Sequence, residues 1–431
     1  MGAGAGRRED LGRAAQRFAI SIVRAALTAV VVSGALACTP PAAGYRLPAT
    51  GLTPVDKLVA ASPSAVGMSD ALGATLDSIM AVGLKEHAAP GATLAVGRYG
   101  RLVHLKAYGR LDTAIASSPV DVNTMYDMAS LTKVVATTTA AMMLEEQGQL
   151  DLDRTVASYL PELNAPDKAG ITMRMVLTHR GGFEAFAALY KTFKGRDQYL
   201  QQINLRPLKS VPGTQMVYSD WDFILTGLVI ERITGMPLDK FVEQKVFQPL
   251  GMTRTMFTPD ASLKPGIAPT EIDTTRGGLM WGRVHDENAD AMGGVAGHAG
   301  LFSTAPDASI LVQMLLNGGE YNGVRILKPA TIARWTAPQG RGSSRAIGWD
   351  TPSQNSSAGH YFSPRSFGHT GFTGTSIWVD PTRDLFVILL TNRVDPTRNT
   401  TRVFALRRDI ADAVQKSIVD APLTDWESKS K

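Results

Sequence analysis

The chain has 431 residues, of which 44% are hydrophobic and 19% charged, and its formal net charge is +5. This is ordinary globular composition, with ample length for a buried core. Arg7, Arg8, Arg13, Arg17 and Arg24, set against Glu9 and Asp10, place +3 of that charge before residue 38. No basic run interleaved with aromatics follows, which argues against a nucleic-acid partner.

The basic start leads into "AALTAVVVSGALAC", an uncharged apolar run of signal-peptide length, too short for a membrane span. The single cysteine of the chain, Cys38, falls where cleavage would occur, and "ALAC" resembles a bacterial lipobox. The expectation is a signal peptide over 1–37, a lipid-anchored tether over 38–57 and export across the bacterial inner membrane to the cell envelope. The alternative is an ordinary signal peptide with an unmodified cysteine. One cysteine allows no internal disulfide. The Pro/Ala/Gly-rich stretch 39–54 reads as the tether, and globular composition starts near Leu58.

"GATLAVGRYGRLVHLKAYGRLD" (91–112) alternates around a glycine turn and predicts a β-hairpin. Residues 130–147 predict a helix stopped by Gly148. The middle of the chain, about 150–260, reads as mainly helical, with one helix over 219–235. Residues 374–393 predict two strands around an Asp-Pro turn, and 400–417 a final helix. Strands at both ends with helices between them imply an α+β fold. One sheet would be built from about 58–130 and 300–420, a helical lobe would span about 131–299, and a cleft would lie at the junction.

Ser130 and Lys133 stand three apart at the start of the predicted helix 130–147 and share a face. A serine hydroxyl needs a base to act as a nucleophile, and a lysine serves only if its pKa is lowered. A second Ser-x-x-Lys, Ser428–Lys431, sits in a polar tail, so spacing alone proves nothing. Two further stretches add weight: "VPGTQMVYSDWDF" offers Tyr218, Ser219 and Asp220, and "FGHTGFTGTSIWVD" offers His369-Thr370-Gly371 before a predicted strand.

The order Ser-x-x-Lys, then Tyr-x-Asn, then Lys-Thr-Gly is that of the penicillin-recognising serine hydrolases. The chain therefore resembles the superfamily of class C β-lactamases, penicillin-binding DD-peptidases and esterases, from about Ser62 to the final helix. "GQLDLD", "MRMVLTHRGGF", "PGT" and "GGVAGHAGLFSTAPD" support the match. The resemblance implies a five-stranded-type antiparallel sheet flanked by helices, with no cofactor and no metal. It implies Ser130 as the acylated nucleophile, Lys133 as its base and electrostatic partner, and Tyr218 as the proton-shuttling phenol. His369, Thr370 and Gly371 would line the other wall, and the amides of Ser130 and Phe372 would hold the oxyanion. Gly371 would keep the strand open for substrate. Two residues depart from the pattern. Asp220 replaces an Asn, adding a negative charge that could hold Lys133 protonated or simply anchor it. His369 replaces a Lys, which would make the pull on a substrate carboxylate weaker and pH-dependent.

Other residues read more plainly. His179 fixes a loop. His285, Asp286 and Glu287 line the cleft or staple a loop, with direct catalysis the less favoured role. His285, Asp286 and His298 match no metal-ligand spacing. Arg365 could reach a substrate carboxylate but fits a solvated strand-edge residue better. Asn392-Arg393 terminates a strand, and Met125, Met128, Met142 and Met143 fill core. The expectation is a monomeric acyl-enzyme hydrolase acting on a β-lactam, a D-alanyl (peptidoglycan) peptide or a small ester. A carboxylesterase and a non-catalytic penicillin-binding or peptide-sensing lipoprotein remain as alternatives.

Overall fold

Alternating apolar residues at both ends of the chain bury a sheet on two faces. The computed structural model describes residues 56–114, 116–340 and 343–426. The predicted signal segment, Cys38 and the tether up to residue 55 lie outside them. Among the described residues no helix is long and apolar enough to cross a membrane.

The strands are β1 (Val59–Ala60), β2 (Gly91–Arg98), β3 (Arg101–Gly109), β4 (Phe367–Thr370), β5 (Ser376–Asp380) and β6 (Leu385–Thr391). Their order in the sheet is β1-β3-β2-β6-β5-β4. Every pairing is antiparallel except the two-residue β1, which lies parallel to β3. The sheet thus has six strands rather than five. The extra one is an edge strand of two exposed residues, too short to leave a periodic signal.

The period of two along β6 sorts its side chains between two cores. Leu385, Val387 and Leu389 pack with Leu94 and Val96 against helices α1 (Leu72–Lys85) and α5 (Val403–Lys416). Phe386, Ile388 and Leu390 face the larger core with Ala95 and Val134, beneath α2 (Thr139–Glu146), α3 (Asp220–Thr234) and α4 (Ala305–Leu316). Burying each such side chain is worth about 1.5–3 kcal/mol. The predicted hairpin, both helices flanking the site, the paired C-terminal strands and the final helix are all present.

Two chain features bring the helical region to the sheet. Ser219 caps α3, its hydroxyl accepting from Trp221 N at 3.3 Å, and Gly235 ends it in the left-handed conformation. Segment 297–298 then crosses between α3 and the helical turns preceding α2. Thr137 Oγ1 donates to Gly297 O at 2.7 Å. A Cβ on Gly297 would stand 2.0 Å from Phe223 O. Gly297→Ala is therefore expected to cost about 1–3 kcal/mol by overpacking. Urea unfolding measures it, and unchanged stability would show that the crossing has room to relax.

Candidate active site

The backbone turns sharply before Ser130. Ala129 has φ of +45°, a left-handed value unusual for a residue with a side chain. Buried Asp127 holds the turn: Oδ1 accepts from Ala129 N at 2.8 Å and Oδ2 from His285 N at 2.6 Å. Chain 129–131 forms a 3-10 turn and 133–138 a π-helical one before α2 begins. Such π segments often mark functional sites.

Lys133 is fully buried, and its ammonium makes three bonds: to Ser130 Oγ at 3.0 Å, Asp220 Oδ1 at 2.8 Å and His298 O at 3.1 Å. Burial by itself disfavours the charge, but the Asp220 carboxylate, with Tyr218 beside it, outweighs burial and holds Lys133 above its ordinary value. The lowered pKa that a lysine base requires is absent from the resting site, and Asp220 is the cause.

Tyr218 stands over this group, with Lys133 Nζ 5.0 Å and Arg345 Cζ 5.1 Å from its ring centroid. Its hydroxyl is buried and makes no hydrogen bond of good geometry, although the phenol is near enough to Lys133 to bear on its charge. His179 backs the ring at 4.5 Å between centroids, and its Nδ1 accepts from Ser219 N at 3.2 Å. Burial drives His179 down, and burial together with the Asp220 charge drives its neighbour Asp222 up. The pair is neutral, and His179 fixes a loop as its sequence context suggests.

His369 lies on β4 and is also neutral: burial, then Arg345 and Lys133, hold its imidazole well below the usual range. Its Nδ1–H donates to Thr370 O at 2.8 Å and its Nε2 accepts from Arg345 Nη1 at 3.3 Å. The expected pH-dependent cation on this wall is thus absent, and Arg345 supplies a permanent one. Backbone bonds between Asp350 and Gly368, at 2.8 and 2.9 Å, bring the Arg345 loop to the edge of β4. Nothing in the sequence around Arg345 marks it. Arg365 instead lines a separate recess with Leu315, Pro338 and Phe367.

The turn after β4 is held from behind by arginines. Arg407, buried in α5, donates to Gly371 O, Thr375 O and Gly374 O at 2.8, 2.7 and 3.2 Å. Burial and nearby Arg393 pull it down to about 9, so it stays charged at neutral pH. Arg393 donates to Phe372 O at 2.7 Å and lies against the Phe372 ring. It does more than end β6, and Asn392 Nδ2 ties Leu111 O and Pro269 O together. Gly371 is required by the fold itself: a Cβ there would meet Thr375 Oγ1 at 2.1 Å and Met128 O at 2.6 Å.

These groups line one cleft of about 540 Å³ that holds Ser130, Tyr218, Asp220, Asp286, Arg345 and His369 through Phe372. Larger grooves, of about 660 Å³ between α1 and α5 and about 880 Å³ beside α3, contain no such hydroxyl–amine pair. The sequence grouping of His285, Asp286 and His298 is rearranged. His285 Nε2 bonds Glu271 at 3.0 Å, while donor atoms of Asp220, Asp286 and His298 all lie within 4.8 Å of one another. Of these three side chains only Asp220 bonds the ammonium of Lys133; the His298 ring bonds Asp286 instead, while the His298 carbonyl accepts from Lys133.

The family model for Beta-lactamase matches residues 76–412. The chain belongs to the beta-lactamase family. It is 35% identical over 353 residues to a protein of Escherichia coli (strain K12) named "Putative D-alanyl-D-alanine carboxypeptidase", covering 72% of this chain and 81% of that one. A Salmonella agona protein of the same name is 35% identical over 70% of this chain and 79% of its own. Solved structures share the fold: EstCE1, a hydrolase with promiscuous acyltransferase activity (TM-score 0.66, 24% identity, 80% and 98% of the two chains), and a penicillin-binding protein homologue from Caulobacter crescentus (0.65, 20%, 80% and 99%). A class C beta lactamase also matches (TM-score 0.64, 17% identity, 79% and 98% of the two chains). The chain is a serine hydrolase of this superfamily, with the β-lactamase/transpeptidase-like fold.

Removing one partner of a buried ion pair strands the other charge. Asp220→Ala is expected to destabilise the protein by about 3–5 kcal/mol, since among the described residues it removes the carboxylate hydrogen-bonded to Lys133, whereas Asp220→Asn keeps a hydrogen-bond acceptor and costs less. Chemical unfolding of both variants checks this, and equal losses would contradict it.

Proposed function

We propose that the protein removes the terminal residue of D-alanyl peptides through an acyl-enzyme on Ser130, as a DD-carboxypeptidase. The observation that carries the substrate class is Arg345. Its Nε is buried without a hydrogen bond, and the nearest carboxylate, Asp350, stands 3.8 Å away. A charged guanidinium left under-satisfied beside β4 suits a substrate's terminal carboxylate. The name shared by the 35% identical relatives agrees with this reading.

During acylation Lys133 stays charged and lowers the energy of negative charge on Ser130 and Tyr218. Tyr218 Oη, acting as the phenolate beside that ammonium, takes the Ser130 proton as Oγ attacks the carbonyl carbon. The amides of Ser130 and Phe372 hold the oxyanion; Phe372 N donates to no group among the described residues. Tyr218 then gives the proton to the leaving amine, and water releases the acyl group. Export and lipidation at Cys38 would place the enzyme, as a monomer, beside peptidoglycan; Cys38→Ser should release it from the membrane fraction.

Ester hydrolysis is a second reading, favoured by Phe186, Phe372 and Phe404, which are 46%, 49% and 52% exposed around the cleft mouth. Rates on a D-alanyl-D-alanine peptide, its C-terminal amide and a p-nitrophenyl ester separate the two. Ser130→Ala should abolish all three activities. Arg345→Met should lower kcat/KM for the free acid by about 10- to 100-fold, the worth of one charge-assisted hydrogen bond, and spare the ester. An equal loss on acid and amide would remove the carboxylate role. Stable penicillin labelling without any turnover would instead make the protein a binder.

A further inference from the structure

Acylation uses Ser130, Lys133 and Tyr218, and leaves the water of the second half-reaction without a partner. Of the carboxylates lining the cleft, Asp220 is bound to Lys133, Glu287 to Arg398 at 2.8 Å, and Asp350 stands by Arg345. Asp286 differs. Its Oδ1 accepts from Ala289 N at 2.7 Å and from His298 Nε2 at 2.9 Å, while Oδ2 takes neither bond. His298 is buried and its Nδ1 has no partner, so the ring's one side-chain bond is to Asp286. The carbonyl of the same residue accepts from Lys133. Residue 298 therefore fixes Asp286 and the Lys133 ammonium in one frame, on the nucleophile's side of the cleft.

We propose that Asp286, held by His298, receives and orients the water that hydrolyses the Ser130 acyl-enzyme. This rests on the acyl-enzyme reading above. The water oxygen forms the new bond to the acyl carbon, and the carbonyl pair moves onto the oxygen held by the two amides. One water proton goes to Asp286 Oδ2 as that bond forms. On collapse the carbon–Oγ bond breaks with its pair on Ser130 Oγ, which takes a proton from Lys133 Nζ. Asp286 then releases the proton it took to solvent in the cleft, and Lys133 regains one from the same solvent, which resets the site. Ester and water become free acid and serine hydroxyl. Asp286 is firmly anionic: burial opposes its charge, but His298 and the Ala289 amide outweigh burial and hold it below the usual carboxylate range. A base this weak acts by positioning and by taking the proton only as the carbon–oxygen bond forms. His298 is a positioning residue.

The test separates the two half-reactions. A chromogenic penicillin or ester is mixed rapidly with the full-length protein, and intact-mass spectrometry follows the label on Ser130. Asp286→Asn keeps the cap on Ala289 and can still accept from His298. It should acylate within about threefold of the parent rate and hold the label about 100-fold longer or more. Asp286→Glu should recover part of the turnover, and His298→Gln should lengthen the label's life less than Asp286→Asn. Should Asp286→Asn not fold, the other two variants decide by the same criterion. Label released at the parent rate, or acylation and release slowed equally, overturns this inference alone. No label on the parent protein overturns it together with the acyl-enzyme reading.

Discussion

The ammonium of Lys133 is where three parts of the chain are joined. It meets the turn that carries Ser130, the first residue of α3 and the crossing segment at His298, at 3.0, 2.8 and 3.1 Å. An ammonium with no exposed surface is costly to bury, and only the adjoining carboxylate makes it tolerable. The site could not hold this lysine in the same state with a neutral amide at position 220. The charge that makes the pair stable also removes Lys133 as a resting base.

That division extends through the cleft. Asp220 and Asp222 lie two residues apart on α3, yet one is ionised against Lys133 and the other is kept neutral by burial and by its neighbour's charge. His179 and His369 are neutral for the same reason, with cations close by. The two imidazoles flank Tyr218, at 4.5 and 5.8 Å between ring centroids. The phenol therefore sits among uncharged rings, with the cations of Lys133 and Arg345 near its face.

The legible parts of this protein were the local ones. The 91–112 hairpin, the 219–235 helix with its Ser and Gly caps and the two C-terminal strands each carry their own periodicity and punctuation. Ser130, Lys133, Tyr218 and His369 were found because they stand in ordered motifs. Arg345 was not, because its place is set by backbone pairing of Asp350 with Gly368, a contact that leaves no pattern in a Gly/Ser-rich loop. Arg365 was nearer in sequence and lies elsewhere. For Gly371 the structure adds a reason no sequence pattern shows, since the neighbours that forbid a side chain, Thr375 and Met128, are brought there only by the fold. Asp286 was singled out in its sequence context, but its hydrogen bond to His298, twelve residues on, is set by the fold.

The arginines behind β4 show how a cationic cleft can serve two ends. Arg407 and Arg393 spend their donors on carbonyl oxygens of residues 371, 372, 374 and 375. A carbonyl drawn backward onto a guanidinium turns its peptide plane, and the neighbouring N–H groups are fixed with it. Phe372 N, in the wall of the cleft, donates to no group among the described residues. Each bond from a charged donor is worth about 1.5–3 kcal/mol, enough to keep the turn from relaxing when substrate arrives. The charge itself is not consumed by these carbonyls, so the same groups also leave this wall of the cleft positive. Rigidity of the turn and the positive field beside it are consequences of one set of contacts.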